Sequence, residues 1–209
     1  MAVIHHTTLK PTKLELLTDW LPSRPWYRGG PAAPQLSKAG GFRLDDPQGE
    51  VGIEFMVVTD ASTPYLVPLT YRGAPLDGAE HALVGTMEHG VLGKRWVYDA
   101  CHDPVAVAQL LSLIEGRVQA QDQNASDVPD REVVAAYTGE APLTTKDVTT
   151  TDDTSGTALT TPNGTTVRLQ RALEPSSAAP EEAIGQVTGS WQLPDDGRAR
   201  GLFAVVHPA

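Results

Sequence analysis

Four carboxylates crowd one short stretch: Asp45, Asp46, Glu50 and Glu54. The two aspartates stand beside Pro47 in a turn-forming run, Asp45-Asp-Pro-Gln-Gly49. The run that follows, Glu50-Val-Gly-Ile-Glu-Phe-Met-Val-Val58, has the alternation of a strand. On a strand, Glu50 and Glu54 share the face opposite Val51 and Ile53. Two carboxyls on one sheet face can divide the work of glycoside hydrolysis, one as acid and one as base or nucleophile. Asp45, Glu50 and Glu54 are therefore the candidate catalytic residues. The competing reading makes the same residues the solvated side of a scaffold.

Other chemistries find less. Cys101 follows an expected strand and precedes an expected helix, a place that can lower a thiol pKa. No base can be assigned to it, so a small buried cysteine is the simpler reading. A phosphate-cradling loop needs Gly-x-x-x-x-Gly-Lys-Ser/Thr. Gly90-Val-Leu-Gly-Lys-Arg95 has the wrong spacing and no hydroxyl after Lys94. His5 and His6 are adjacent, so on a strand they point to opposite faces, and His81, His89 and His102 are widely spaced. Neither a metal nor a cofactor is expected. Trp26, Tyr27, Tyr71 and Trp96 could line a sugar-binding surface or simply pack in a core. Trp26, Tyr27, Tyr71 and the neighbouring Arg72 are kept as candidate binding residues.

Composition narrows the partners. The chain has 209 residues and a net charge of −10. That charge disfavours nucleic acid and anionic membrane surfaces, which both attract clustered Lys and Arg. No apolar run approaches the roughly 20 residues of a membrane span. The N-terminus lacks the basic start and apolar core of a signal peptide. Cys101 is the single cysteine, which fits a reducing compartment. A cytoplasmic location is expected.

The elements that must position these residues are partly legible. Thr12-Lys-Leu-Glu15 has the form of a capping box, and Leu14, Leu17 and Leu21 follow at helical spacing before Pro22. The pattern predicts a helix over 12–21. Asp103-Pro104 starts a second, over 104–115, with Val107, Leu110, Leu111 and Ile114 as its apolar stripe and Gly116 at its end. Between them, 50–58 and 65–72 read as a hairpin with one apolar face, built from Val51, Ile53, Phe55, Val57, Tyr65, Val67, Leu69 and Tyr71. Pro68, lacking an N–H, assigns its strand to an edge or a bulge. A short strand at 41–44 and a pair at 83–88 and 95–99 complete the set, with a β-prone run at 2–8. The economical packing lays both helices against one face of a curved antiparallel sheet, an α+β fold.

Beyond a polar linker at 119–130 the composition shifts. Residues 144–166 are dense in Thr, which suits either low-complexity disorder or a β region. The β reading is preferred because Pro162-Asn-Gly-Thr165 is a hairpin signal, with Asn-Gly suited to a type I′ turn between arms at 157–161 and 165–172. Residues 191–193 and 201–206 add strand candidates. The expected organisation is a first domain over 1–118, the linker, and a smaller, mainly antiparallel β domain over 131–209. Ending near an apolar strand, the chain reads as part of a larger architecture or one completed by a partner.

Three segments together resemble a known family. Trp20-Leu-Pro-Ser-Arg-Pro-Trp-Tyr27, Tyr65-Leu-Val-Pro-Leu-Thr-Tyr71 and Val97-Tyr-Asp-Ala-Cys-His-Asp-Pro104 resemble the N-terminal cap domain of bacterial maltokinases, over roughly residues 10–116. That family phosphorylates maltose with ATP in α-glucan metabolism. The segment Thr166-Val-Arg-Leu-Gln-Arg-Ala-Leu-Glu-Pro175 is similar to the strand of the kinase N-lobe whose lysine meets nucleotide phosphates; Arg168 stands at that position here. The family's His-Gly-Asp-x-His and Asp-Phe-x-Gly motifs do not occur in the sequence. The resemblance thus implies a non-catalytic accessory protein of α-glucan metabolism, binding a protein partner or a glucan, with self-association left open. The alternatives are a small carbohydrate-active enzyme using the hairpin carboxylates, or the N-lobe half of a split sugar kinase.

Overall fold

The computed structural model describes residues 7–176 and 178–209. The β-prone run at 2–8 lies largely outside them, as do His5 and His6. Two α-helices and thirteen strands are present among the described residues, giving the α+β class. In chain order they are β1 (Leu9–Lys10), α1 (Lys13–Trp20), β2 (Leu36–Leu44), β3 (Gly52–Asp60), β4 (Thr63–Arg72), β5 (Leu83–His89), β6 (Gly93–Asp99), α2 (Pro104–Ile114) and β7 (Gln121–Asp122). There follow β8 (Val134–Tyr137), β9 (Thr149–Asp153), β10 (Gly156–Thr160), β11 (Thr166–Gln170), β12 (Gly185–Gln192) and β13 (Arg198–His207). The first sheet has the order β1-β5-β6-β4-β3-β2-β7 and the second β8-β12-β13-β11-β10-β9, both antiparallel. The first curls into a half-barrel. Its helix α1 touches both β2 and β5, although three strands separate them in the sheet.

The central hairpin corrects an expectation. Its strands meet at Asp60 opposite Thr63, so Phe55 faces Pro68 and Met56 faces Val67. Side chains alternate with period two, and this register sends odd residues of β3 and odd residues of β4 to opposite faces. There is no single apolar face. Ile53, Phe55, Val57 and Leu66 join a core with Phe42, Leu110 and Phe203. Met56, Val58, Tyr65, Val67 and Leu69 join another with Leu17, Trp20 and Trp26. With both faces apolar, both must be covered, and the helices divide: α1 lies on the concave face and α2 on the other. The expectation that they share a face is wrong for that reason.

Local signals hold up. Thr12 caps α1 with a complete capping box: its N–H donates to Glu15 at 2.7 Å and its Oγ1 accepts the Glu15 N–H at 3.2 Å. Leu21-Pro22-Ser23 then tightens into a 3₁₀ turn. Asp103 Oδ1 accepts the Val105 N–H at 3.0 Å to start α2. At its end Gly116 adopts φ +72°, and the N–H groups of Gly116 and Arg117 close onto the carbonyls of Leu113 and Ser112. That is a Schellman motif, and the positive φ is why glycine stands there.

Pro68 sits inside the sheet and on no bulge. The ladder between β4 and β6 begins only at Leu69, while the Leu66 N–H on the same edge bonds Arg171 O at 2.8 Å. Pro68 occupies the gap between these two neighbours, where no donor is needed. The Asn163-Gly164 hairpin forms, but not as type I′. Pro162 and Asn163 are the central residues of a turn from Thr161 to Gly164, with the Gly164 N–H bonding Thr161 O at 2.9 Å, and with no positive φ at Asn163 it is of type I. Gly164 alone takes positive φ, +90°. The Thr-rich stretch is β structure from Thr149, as the edge strand β9. The two sheets pack through one shared core and are bridged where Tyr65 pairs with Ala172. The polar stretch 119–130 adds β7 to the edge beside Phe42 and Arg43.

Candidate functional site

Register brings one set of polar side chains to the concave face. Arg43 on β2 lies opposite Glu54 on β3; Gly52 lies opposite Tyr71 on β4, Tyr71 opposite Val97, and Arg95 opposite Met87 on β5. Leu17, Trp20 and Trp26 fill part of that face. The rest is a cleft of about 420 Å³ lined by Lys13, Arg43, Glu50, Glu54, Tyr71, Arg95 and Gln123, with Leu9, Val51, Met87 and Leu92 as apolar wall.

Glu54 is its centre. The expectation that it lies on a solvated strand face is overturned: it is only 4% exposed. Lys13 Nζ, from the first turn of α1, meets Oε2 at 2.5 Å, the Tyr71 hydroxyl donates to the same oxygen at 2.6 Å, and Gln123 Nε2 donates to Oε1 at 2.7 Å. Burial pushes the carboxyl up, but the charge and hydrogen bond of Lys13, with those of Tyr71 and Gln123, outweigh it and leave the pKa below the ordinary value. Burial and the facing carboxylate raise Tyr71 well above the usual phenol range. The Lys13 ammonium also lies 5.1 Å from the centre of the Tyr71 ring.

The other carboxylates differ. Glu50 is exposed on the rim. Asp46 is buried and accepts the N–H groups of Gln48, Glu50 and Val51 at 3.0, 2.9 and 2.9 Å. Burial acts to raise it, and these donors with Arg72 lower it further than burial lifts it. Asp45, half-buried, does not line the cleft. Two arginines complete the wall. Arg43 Nε donates to Asp122 O at 3.1 Å, and Arg95 Nη2 to Leu92 O at 2.8 Å. Neither has a carboxylate partner among the described residues. The Nε of Arg95 is buried without an acceptor.

The remaining candidates lie elsewhere. Trp26 is buried, with Trp20 at 5.8 Å between ring centres and the Arg171 guanidinium over its ring at 4.9 Å. Tyr27 donates to Asp60 Oδ2 at 2.5 Å. Arg72 makes a two-pronged bond to Asp103, at 2.6 and 2.7 Å, fixing the start of α2. Arg168 on β11 grips Asp153 at 3.0 and 2.9 Å and reaches Ser155. Cys101 is buried, and burial pushes its thiol well above the usual range, the opposite of an activated nucleophile. His81 and His102 meet at 3.1 Å, yet no cluster of three or more metal-ligating side chains forms among the described residues.

Sequence reasoning missed Lys13, Arg43, Arg95 and Gln123. Arg43 lies in the strand expected at 41–44, but its place opposite Glu54 depends on the register between strands. Gln123 carries no local signal; it lies in a polar connection sixty-nine residues away.

The segments that prompted the resemblance converge in space. Trp20 and Trp26 pack with Tyr65, and Arg171 joins Trp26 to Asp99. Residues 20–103 match the family model of the maltokinase N-terminal cap domain. The match links this part of the chain to maltokinases. The cap segment runs from the last residue of α1 to the N-cap of α2. It supplies Arg43, Glu50, Glu54, Tyr71 and Arg95 to the cleft, while Lys13 and Gln123 come from outside it. No helix among the described residues is long and apolar enough to cross a membrane.

Proposed function

We propose that this chain is a non-catalytic accessory protein of α-glucan metabolism, working in the cytoplasm by binding a partner enzyme or a glucan. The maltokinase cap match supplies the metabolic setting. The observation that carries the non-catalytic part is the state of Glu54. A general acid must hold a proton near neutral pH, and a base or nucleophile needs a carboxylate oxygen free to reach its target. Glu54 is held below the ordinary carboxylate value by Lys13, Tyr71 and Gln123, which also occupy its oxygens. Purified protein given malto-oligosaccharides, or maltose with ATP-Mg²⁺, is expected to show no turnover. It is expected to co-elute with a maltokinase, glucan synthase or branching enzyme from its own cell, or to retain glucan on an affinity gel. Turnover, or a strict monomer that retains neither, would sink the proposal.

A second reading, a small carbohydrate-active enzyme, draws on Glu50 and Glu54 lining one cleft. It requires hydrolysis of malto-oligosaccharide that Glu54→Gln abolishes.

A further inference from the structure

We propose that His81 and His102 together form a binding site for a divalent cation of the zinc class. The site stands apart from the cleft and does not depend on the accessory reading.

Two histidines distant in sequence reach one place. His81 Nε2 and His102 Nδ1 lie 3.1 Å apart, with the rings at 88°. One proton between the two nitrogens makes this a hydrogen bond. The same spacing suits a shared cation. Zinc holds imidazole nitrogen at about 2.0–2.1 Å, so two such ligands stand about 2.9 Å apart at a right angle and about 3.3 Å apart at the tetrahedral angle. The observed separation falls between these limits. Turning both lone pairs to one ion takes a change of tautomer in one ring and a reorientation of the rings, with no change in the number of protons bound.

Both backbones are already fixed, so the ion has little order to impose. His81 lies in the 3₁₀ turn Glu80–Ala82, where the Ala82 N–H bonds Ala79 O at 2.9 Å and both alanines pack against Tyr98. His102 ends the 3₁₀ turn Ala100–His102. Asp99 caps that turn by accepting the Cys101 N–H at 3.0 Å, Thr150 Oγ1 donates to Cys101 O at 2.8 Å, and Arg72 grips the next residue, Asp103. His81 is exposed, so ions in solution reach the pair.

Charge and ligand type set the class of ion. Asp99, Asp152 and Arg171 are the ionised groups acting on His102. Asp99 matches Arg171 at 2.6 Å, which leaves the carboxylate of Asp152 in excess, a field that favours a cation. Imidazole nitrogen suits zinc, copper and nickel, whereas magnesium and calcium take oxygen ligands. A structural zinc site has four protein ligands and a catalytic one three. With two, the other positions fall to water, and the site fills and empties with the metal supply. Filled, it ties the connection between β4 and β5 to the start of α2.

The test is calorimetry of the full chain with zinc chloride and with magnesium chloride, followed by imidazole and amide NMR. Zinc is expected to bind, to shift the ring resonances of His81 and His102, and to slow amide exchange at 80–82 and 100–103, with magnesium silent. His81→Asn and His102→Gln are each expected to weaken zinc binding about a hundredfold, the lower end of what a second tethered contact adds. Circular dichroism would show that the variants stay folded, and His81→Asn replaces an exposed side chain. His5, His6, His89 and His207 remain in both variants as controls. Absence of zinc binding, equal binding by the native chain and His81→Asn, or magnesium bound as tightly as zinc would overturn the assignment. Shifts confined to the four control histidines would mark an adventitious ion only, and would overturn it too.

Discussion

Arg171 is fully buried, and its charge is met by Asp99 at 2.6 Å and its Nε–H by Thr157 at 2.7 Å. Its ring-facing contact with Trp26 and its bond to Cys101 Sγ tie the second sheet to the cap segment. A buried pair of this kind contributes little beyond what an apolar replacement would, yet breaking it strands a charge. Asp99→Ala alone is expected to cost about 3–5 kcal/mol. The double variant Asp99→Leu with Arg171→Met should recover most of that loss; urea unfolding of the three proteins would check it, and equal losses in single and double variants would contradict the account. The sequence showed Arg171 only as the second arginine of a kinase-like strand. Nothing local marks it as buried, because its burial depends on a partner seventy-two residues away.

Elements were read best where their signals are local. The capping box at Thr12, Asp103-Pro104 at the start of α2 and Gly116 at its end each act within a few residues, so their consequences follow from short-range sterics and hydrogen bonds. Gly116→Ala forces a Cβ into φ +72° and is expected to destabilise the protein by about 1–2 kcal/mol. An unchanged melting midpoint would contradict the left-handed cap. The Asn-Gly turn was identified with the wrong type because the chain turns one residue earlier, with Pro162 and Asn163 as the central pair closed by the Gly164 N–H on Thr161 O, and only Gly164 takes a positive φ. Pro68 was assigned to an edge or a bulge because the sequence cannot show that β6 ends one residue short of it.

For the whole molecule, acid is the informative stress. Burial pushes His102 below the ordinary imidazole value of 6.5, with Asp99 opposing and the nearby His81 lowering it further. The folded state therefore binds a proton less readily than the unfolded chain, and stability contributed by neutral His102 is lost as pH falls below about 6.5. Glu54 and Asp99 are both held below ordinary carboxylate values, so their contribution is full above the unfolded carboxylate range and is lost as pH falls below that range through their lower folded values. Two phases of destabilisation are expected on acidification, the first removed by His102→Gln. A single carboxylate phase, unchanged in that variant, would exclude the histidine's part.

The sequence by itself determined the helices and their ends, most strand positions, the α+β class and the cap resemblance. Each depends on residue type, spacing or local backbone sterics. Only the tertiary structure decided which face each strand presents. A hairpin closing at Asp60 opposite Thr63 pairs odd residues with even ones, and that parity buried both faces, parted the two helices and carried Glu54 inside. Alternation within a strand says which residues travel together. It does not say with which residues of the next strand they travel, and the cleft built from Lys13, Arg43, Glu54, Arg95 and Gln123 exists only once that is settled.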